Sequence, residues 1–425
     1  MTTAQAISHP KQHVKTRDRI VGAIIILLGL IVLFEFNKNT TPQTISTFMM
    51  TPGGITRGAV GNWLIPTRVM LMVLAGILIA VGLFQFFRGL GSKANLFLGI
   101  ASLAFVFAFL IFVSADKRLN LASLFSSALS MAVPIALASF AGILCERAGV
   151  INIAIEGMML MGAMVGSVTG SITKNIWIAL IAAMLGGGIL ALVHAWMCIK
   201  YKVNQTISGT VINIFSMGLT SYVSSMYLQN IQSLNKTPRF PNVSIPVLAD
   251  IPFVGPILFY NSMFVYAMII LVVFLQFMLF RTRWGLRLRS VGEHPKAADT
   301  LGINVYKTQY TAVILGGLLA GFAGAYFSLG SVGRFDEGMT AGKGYIGMAA
   351  MIFGGWNPVS SMFAAILFGF ADALAATVSI LGSGIPGQFI NMLPYVVTMI
   401  VLAGLVGGHS TGPAASGKAY TKEGS

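Results

Sequence analysis

Long uninterrupted apolar runs restrict this chain more than any other feature. They recur at Ile20–Phe36, Val69–Phe87, Ala94–Val113, Leu121–Leu144, Ile153–Gly170, Ile176–Met197, Thr206–Leu228, Met263–Phe280, Thr308–Leu329, Met362–Leu381 and Phe389–Val406. Each is close to the roughly 20 residues a helix needs to cross the hydrocarbon of a bilayer. Backbone N–H and C=O groups find no water there, so a continuous run of this length satisfies them as a helix. A transmembrane β-barrel would instead show alternating segments of about 10 residues. With 9% charged residues and a mean hydropathy of +0.82, against about 25% charged in soluble proteins, a soluble enzyme is excluded. The 48 Gly and 23 Met suit closely packed membrane helices. Tyr345–Phe353 is apolar but short, and Gly354-Gly355-Trp356-Asn357-Pro358 closes it; it reads as a short span or a half-helix within the protein interior. The expected fold is an all-α polytopic membrane protein with about 11 or 12 transmembrane helices, broken helices among them, around a central pathway.

Basic residues orient the chain, because cytoplasmic loops retain Lys and Arg. With the N-terminus cytoplasmic, most of the 27 Lys and Arg fall on that side: Lys11, Lys15, Arg17 and Arg19, then Arg88, Lys93, Arg147, Lys200 and Lys202, a group from Arg281 to Lys307, and Lys418 and Lys422. The same bias accounts for the net charge of +15, so nucleic acid is not required as a partner. The first run follows a basic stretch but ends in Glu35-Phe36-Asn37 without a small-residue cleavage pattern, which reads as a retained anchor. The organisation expected is a cytoplasmic tail over residues 1–19, accessory N-terminal transmembrane helices over 20–120, a core over 121–408 and a cytoplasmic tail over 409–425.

Two connecting segments stand out. Asn230–Asn261 carries Pro238, Pro241, Pro246, Pro252 and Pro256, which stiffen an irregular extracytoplasmic cap. Arg281–Lys307 is polar and cytoplasmic. Within it, Pro295 opens and Gly302 closes a stretch that predicts one short amphipathic helix, since proline suits a helix start and glycine a helix end. An echo at a spacing near 180 residues, Ile181–Gly186 with Phe363–Gly369 and Ser208–Asn213 with Ile385–Asn391, suggests two structural halves, although apolar segments also resemble one another by chance.

Polar groups among apolar runs carry a free-energy cost, so each is a functional candidate beside the bland reading of an interhelical hydrogen bond. Glu146-Arg147-Ala148-Gly149-Val150-Ile151-Asn152-Ile153-Ala154-Ile155-Glu156-Gly157 predicts a helix that stops at a charged pair, bends at glycine and restarts. Asn152 and Glu156 are four residues apart and are expected on one helical face lining the pathway. Asp372 is either a proton or cation site or a carboxyl bonded to a neighbouring helix. Asn213, Gln388 and Asn391 suit an uncharged polar solute. Trp177, Trp196 and Trp284 read as interfacial anchors, whereas Trp356 adjoins the interrupted piece.

Gly412–Ala419 has the Gly and Lys spacing of a phosphate loop but no Ser or Thr after Lys418, and neither it nor Gly338–Lys343 is expected to bind nucleotide. His9, His13, His194, His294 and His409 are scattered, and Cys145 and Cys198 read as small apolar fillers, so no metal or cofactor site is expected in this chain.

Three ordered motifs carry a family resemblance. Glu146–Ala163, the stretch from Thr282 through Arg287, Gly292, Glu293, Pro295, Lys296, Ala297 and Ala298 to Gly302-Ile303, and Gly344–Pro358 together resemble the permease subunits of bacterial ABC importers for nucleosides and simple sugars, related to ribose-type and branched-chain amino acid permeases. The resemblance spans about Leu121–Val406 and leaves out the first hundred or so residues. It implies a bacterial plasma (inner) membrane location, a second homologous permease subunit, a cytoplasmic ABC ATPase holding ATP and Mg, and an extracytoplasmic substrate-binding lipoprotein. It also implies a coupling helix that docks on the ATPase, here with Arg287, Gly292, Glu293, Lys296, Ala297, Ala298 and Gly302. Lys296 stands where many importers carry Glu. Asn152, Glu156, Asn213, Trp356 and Asn391 are the expected pathway residues. The rival reading is an ion-coupled secondary transporter of a small polar solute working through Glu156 or Asp372.

Overall fold

Apolar runs of this length do become helices in the computed structural model, which describes residues 10–38, 40–53, 60–89, 94–382, 392 and 412–422. The chain forms two units: Met1–Ser123 with Thr377–Ile385, and Leu124–Ala376 with Pro386–Ser425.

In the first unit, α1 (Pro10–Ile31, continued by a π-turn to Phe36) is followed by β1 (Ile45–Met49), β2 (Trp63–Pro66), α2 (Thr67–Phe87), α3 (Ala94–Val113) and β3 (Arg118–Asn120). Helices α1 and α2 meet almost at backbone distance. A Cβ placed on Gly22 would lie 2.6 Å from the Phe86 nitrogen. Where α1 approaches the polar end of α2, Gln85 Nε2 donates to Asp18 Oδ1 at 3.0 Å. The three strands form a sheet in the order β2-β1-β3, antiparallel between β1 and β2 and parallel between β1 and β3. The apolar runs give no hint of it, because it pairs the backbone of the connectors between them. Leu27, Phe34, Val73, Ile77 and Phe87 remain exposed, as expected of side chains that meet lipid rather than water.

In the second unit, α4 (Leu121–Glu146) leads into α5 (Ile155–Thr173), α6 (Ile176–Ala195, continued to Lys200) and α7 (Gln205–Val223, continued to Leu228). A connecting region follows with β4 (Asn242–Ser244), α8 (Val254–Leu258) and β5 (Tyr260–Ser262), in which β4 pairs with β5 antiparallel. The proline-rich segment is thus ordered by a two-stranded ribbon and a short helix. Then come α9 (Met263–Arg281), α10 (Arg283–Glu293), α11 (Pro295–Thr300), α12 (Val305–Ala325, continued to Val332), α13 (Lys343–Phe353) and α14 (Pro358–Ile380).

Nine of the described helices are long and apolar enough to cross a membrane. Helix α7, expected as a span, is not among them, because Thr206, Ser208, Thr210, Asn213, Ser216 and Thr220 dilute its apolar face. Phe389–Val406, apart from Met392, and the echo segment Ile385–Asn391 lie outside the described residues, whereas Phe363–Gly369 belongs to α14. Helix α13 has 11 residues and is about 16 Å long, half of what a crossing needs, and is therefore the half-helix alternative. Arg281–Lys307 holds two helices rather than one: α11 matches the Pro295–Gly302 expectation, and α10 precedes it.

The core of this unit is built on small residues. Gly162, Gly187, Gly317, Gly321 and Gly324 bring α5, α6 and α12 so close that a Cβ on Gly321 would overlap the Ala183 carbonyl and stand 2.9 Å from Met184 Cα. Close backbone approach of this kind replaces the missing hydrophobic drive between helices in lipid. Gly321→Leu is accordingly expected to destabilise the protein by about 1–3 kcal/mol, read as a lower melting temperature in detergent. Gly218→Leu, at a glycine with nothing within 4 Å, serves as the unaffected control.

Candidate functional site

A break between two helices leaves backbone donors and acceptors without helical partners, and burial makes each orphan costly. Between α4 and α5, Ala148, Val150, Asn152 and Ala154 are all buried. Gly149, at φ +83°, turns the chain in the left-handed region that glycine tolerates best. Side chains from three other helices then reach in. Gln205 Oε1 accepts from Ile151 N at 2.6 Å, and an imidazole nitrogen of His194 lies 3.0 Å from the Ile151 carbonyl. Gln309 Nε2 donates to the Ala148 carbonyl at 3.2 Å. Asn213 Nδ2 donates to the Ile153 carbonyl at 2.9 Å while its Oδ1 accepts from Gly157 N at 2.8 Å.

The charged pair that closes α4 clasps the second break, between α13 and α14. Trp356 Nε1 donates to Glu146 Oε2 at 2.6 Å. Arg147 donates from Nε and Nη2 to the Trp356 carbonyl at 3.1 and 3.0 Å, and from Nη2 to the Gly355 carbonyl at 3.3 Å. Trp356 sits at φ +53°, a conformation that costs a non-glycine residue on the order of 1–3 kcal/mol; the clasp holds it there.

The other end of α13 is held by Glu156. Its Oε1 accepts from Thr340 Oγ1 at 2.6 Å and Gly342 N at 2.8 Å, and its Oε2 accepts from Gly344 N at 2.6 Å. A carboxylate at a helix start pairs orphan N–H groups and opposes the positive end of the helix dipole. The half-helix α13 is therefore gripped at both ends by residues flanking the α4–α5 break. Asn213 adds a third tie, donating to the Tyr345 hydroxyl at 2.9 Å. The first residue of α13, Lys343, donates from Nζ to Asp372 Oδ2 on α14 at 2.6 Å, with both side chains largely buried.

Of the expected pathway residues, Glu156, Asn213 and Trp356 come together around α13. Asn152 does not share a helical face with Glu156, because α5 begins at Ile155. It is 1% exposed and folds back on the turn, accepting from Ala154 N at 3.1 Å and facing Cys145 Sγ and Met158 Sδ. Asn391 lies outside the described residues. Asp372 takes the neighbour-bonded alternative, through Lys343. Sequence reasoning missed Tyr345, Thr340, Gln205 and Gln309. His194, noted as scattered, belongs to the turn; its position inside an apolar run was the available signal.

The expected coupling residues surround α10 and α11. Gly292 packs so tightly on the α4–α5 turn that an added Cβ would overlap the Arg147 carbonyl. Ala298 is buried, whereas Arg287, Lys296 and Ala297 are exposed. Leu286 and Leu301 are 61% and 80% exposed, and nothing lies within 4 Å of the Cβ direction of Gly302. Thr282 and His294 cap the two helices, accepting from Gly285 N and Ala297 N.

Comparison with known proteins locates these features in one part of the chain. Residues 124–405 match the family described as branched-chain amino acid transport system / permease component. The chain is 37% identical over 302 residues to the guanosine ABC transporter permease protein NupQ of Bacillus subtilis, covering 68% of this chain and 94% of that protein. It is 36% identical over 302 residues to the nucleoside ABC transporter permease protein NupC of Lactococcus lactis, covering 68% and 93%. It is also 26% identical over 276 residues to NupP, a second guanosine ABC transporter permease protein of Bacillus subtilis, covering 63% and 78%. No solved structure matches the chain.

Removing the Glu156 side chain strands two backbone donors and a hydroxyl at the start of α13. Unpaired buried donors cost about 1–3 kcal/mol, so Glu156→Ala should lower the melting temperature in detergent more than Glu156→Gln, which keeps an acceptor. For the ion pair, Asp372→Asn leaves Lys343 without its charge partner and should destabilise by about 3–5 kcal/mol. The double variant Lys343→Met/Asp372→Leu should recover most of that loss in the same assay.

Proposed function

Given that the chain belongs to the branched-chain amino acid transport system / permease component family, we propose that it forms part of the translocation pathway of an ATP-driven importer for a nucleoside or a related simple sugar. It is a multi-pass membrane transport subunit and not an enzyme, and it works with ATPase and binding-protein partners. The particular assembly proposed is a heteromer with a second, homologous permease, as the two permeases NupP and NupQ from one organism suggest. ATP and Mg would be held by a cytoplasmic ATPase, and cargo would arrive on an extracytoplasmic lipoprotein. The N-terminus, α10 and α11 would then lie on the cytoplasmic side of a bacterial plasma membrane, as the basic residues of these segments favour.

One observation carries the reading: an exposed, partly apolar helix pair stands directly on a broken helix. Leu286 and Leu301 are uncovered on a segment too charged to enter lipid, with Arg283, Arg287 and Lys296 beside them. The inner side of the same pair touches the α4–α5 turn through Gly292. A partner seated on α10 and α11 would therefore push on the turn that grips α13. Arg287, Lys296, Ala297 and Gly302 would meet the ATPase, whereas Gly292, Glu293 and Ala298 hold the pair in place. Toward the solute, Glu156 and Asn213 would form a polar group with Tyr345 of α13. Asn213 and the Tyr345 hydroxyl already share a hydrogen bond, so they would exchange it for weak contacts with a passing hydroxyl or base edge, and Trp356 and Asn152 support the two breaks. Low affinity here favours release, while the binding protein would supply most of the specificity.

Uptake into vesicles carrying the complete assembly should persist when the proton gradient is collapsed with ATP maintained, and stop when ATP is withdrawn. Loss of uptake with the gradient would instead favour the ion-coupled reading through Glu156. Gly302→Asp places a charge on the open docking face, and is expected to leave membrane insertion intact while lowering solute uptake at least tenfold. Unchanged uptake would remove this face from the mechanism.

A further inference from the structure

The segment Gly412–Lys422 follows the stretch matched by the family, and its Gly and Lys spacing imitates a phosphate loop. Its backbone amides do not converge on an open cradle. They are spent on the protein instead. Gly412 lies against the indole of Trp356, where an added Cβ would be 2.9 Å from Cζ2. Ala414 N donates to Glu293 Oε2 at 3.2 Å, and Ala415 N to the Gly292 carbonyl at 2.9 Å. Gly417 N donates to the Gly149 carbonyl at 3.3 Å, with Ile151 beside it. Tyr420 is 7% exposed and packs with Val291, Ala298 and Val305, its ring 5.3 Å from that of Tyr306.

In eleven residues the segment thus touches the α13–α14 break, the junction between α10 and α11, the α4–α5 break and the start of α12. Two of its hydrogen bonds, Ala415 N to Gly292 and Gly417 N to Gly149, fasten the helix pair and the broken turn to the same short strip of backbone. Pro413 and Ala415 are buried, so the strip is seated rather than draped over the surface.

We propose that Gly412–Lys422 is a coupling splint, a positioning element that makes α10 and α11 move as one body with the α4–α5 turn, so that a push on the helix pair reaches α13. The inference rests on the proposed function for the source of that push, but the splint itself is a matter of which elements are tied. Tyr420 anchors one end by packing of its ring, and the amides of Ala415 and Gly417 make the ties.

Two measurements test it. In the purified full-length permease, hydrogen exchange is followed over 147–154 and 291–306 with three variants: a chain ending after residue 411, Tyr420→Ala and Tyr420→Phe. The truncation and Tyr420→Ala should accelerate exchange in both segments at least tenfold, and Tyr420→Phe, which keeps the ring, should accelerate it less than either. In the reconstituted assembly, solute moved per ATP hydrolysed should fall at least tenfold for the truncation and for Tyr420→Ala, with the hydrolysis rate itself held within threefold, and fall less for Tyr420→Phe. Exchange unchanged in both segments would overturn the splint, as would an unchanged ratio of solute to ATP in an assembly that does use ATP. If uptake proves ion-driven, the proposed function fails and the exchange measurement alone decides the splint. Should the truncated chain not insert, Tyr420→Ala carries both arms.

Discussion

A polypeptide that interrupts a helix inside a packed protein must find new partners for every backbone group it frees, and that requirement organises this structure. The α4–α5 break is short, yet His194, Gln205, Asn213 and Gln309 all spend side-chain hydrogen bonds on it. These residues come from α6, α7 and α12, so the break can persist only when those helices are already in register. Polar side chains that look expensive in apolar helices are therefore offset by the backbone groups they satisfy. The second break, at Gly354–Asn357, is held by the first through Glu146 and Arg147, which makes the pair of breaks a single mechanical object.

Within that object α13 is the piece with least support of its own. It is too short to span, its start is closed by a glutamate from α5, and its end is closed by a tryptophan clasped from α4. An element held by a few strong polar contacts at its ends has two arrangements available to it, contacts made or contacts broken, and this is the kind of element on which a remote push can act. The close-packed glycines of α5, α6 and α12 supply the opposite property, a rigid frame against which such a movement has a direction.

The apolar spans were legible because run length against bilayer thickness is a strong signal, and α1 to α6, α9, α12 and α14 all follow it. Helix α7 was legible as a helix but not as an apolar span, since Ser208, Asn213 and Ser216 face inward, where Ser208 and Asn213 serve other segments. The three motifs around residues 146–157, 282–302 and 344–358 were each visible, and their convergence was not: it depends on contacts such as Gly292 against the Arg147 carbonyl, where the informative atom is a missing Cβ. The reading of Asn152 and Glu156 as one face failed because helical spacing was applied from Asn152, three residues before α5 begins at Ile155. The strands and the seat of Gly412–Lys422 left no trace in composition, as both are made by backbone groups, which every residue carries alike.

The order in which the partners of the α4–α5 break occur along the chain has a consequence for biogenesis. Residues 147–154 leave the ribosome long before Gln309, Trp356 and Gly417, and until those are made the turn lacks the partners they supply. Segments that emerge later thus lock a joint that emerged well before them, and a chain stalled between the two would present an open, polar notch.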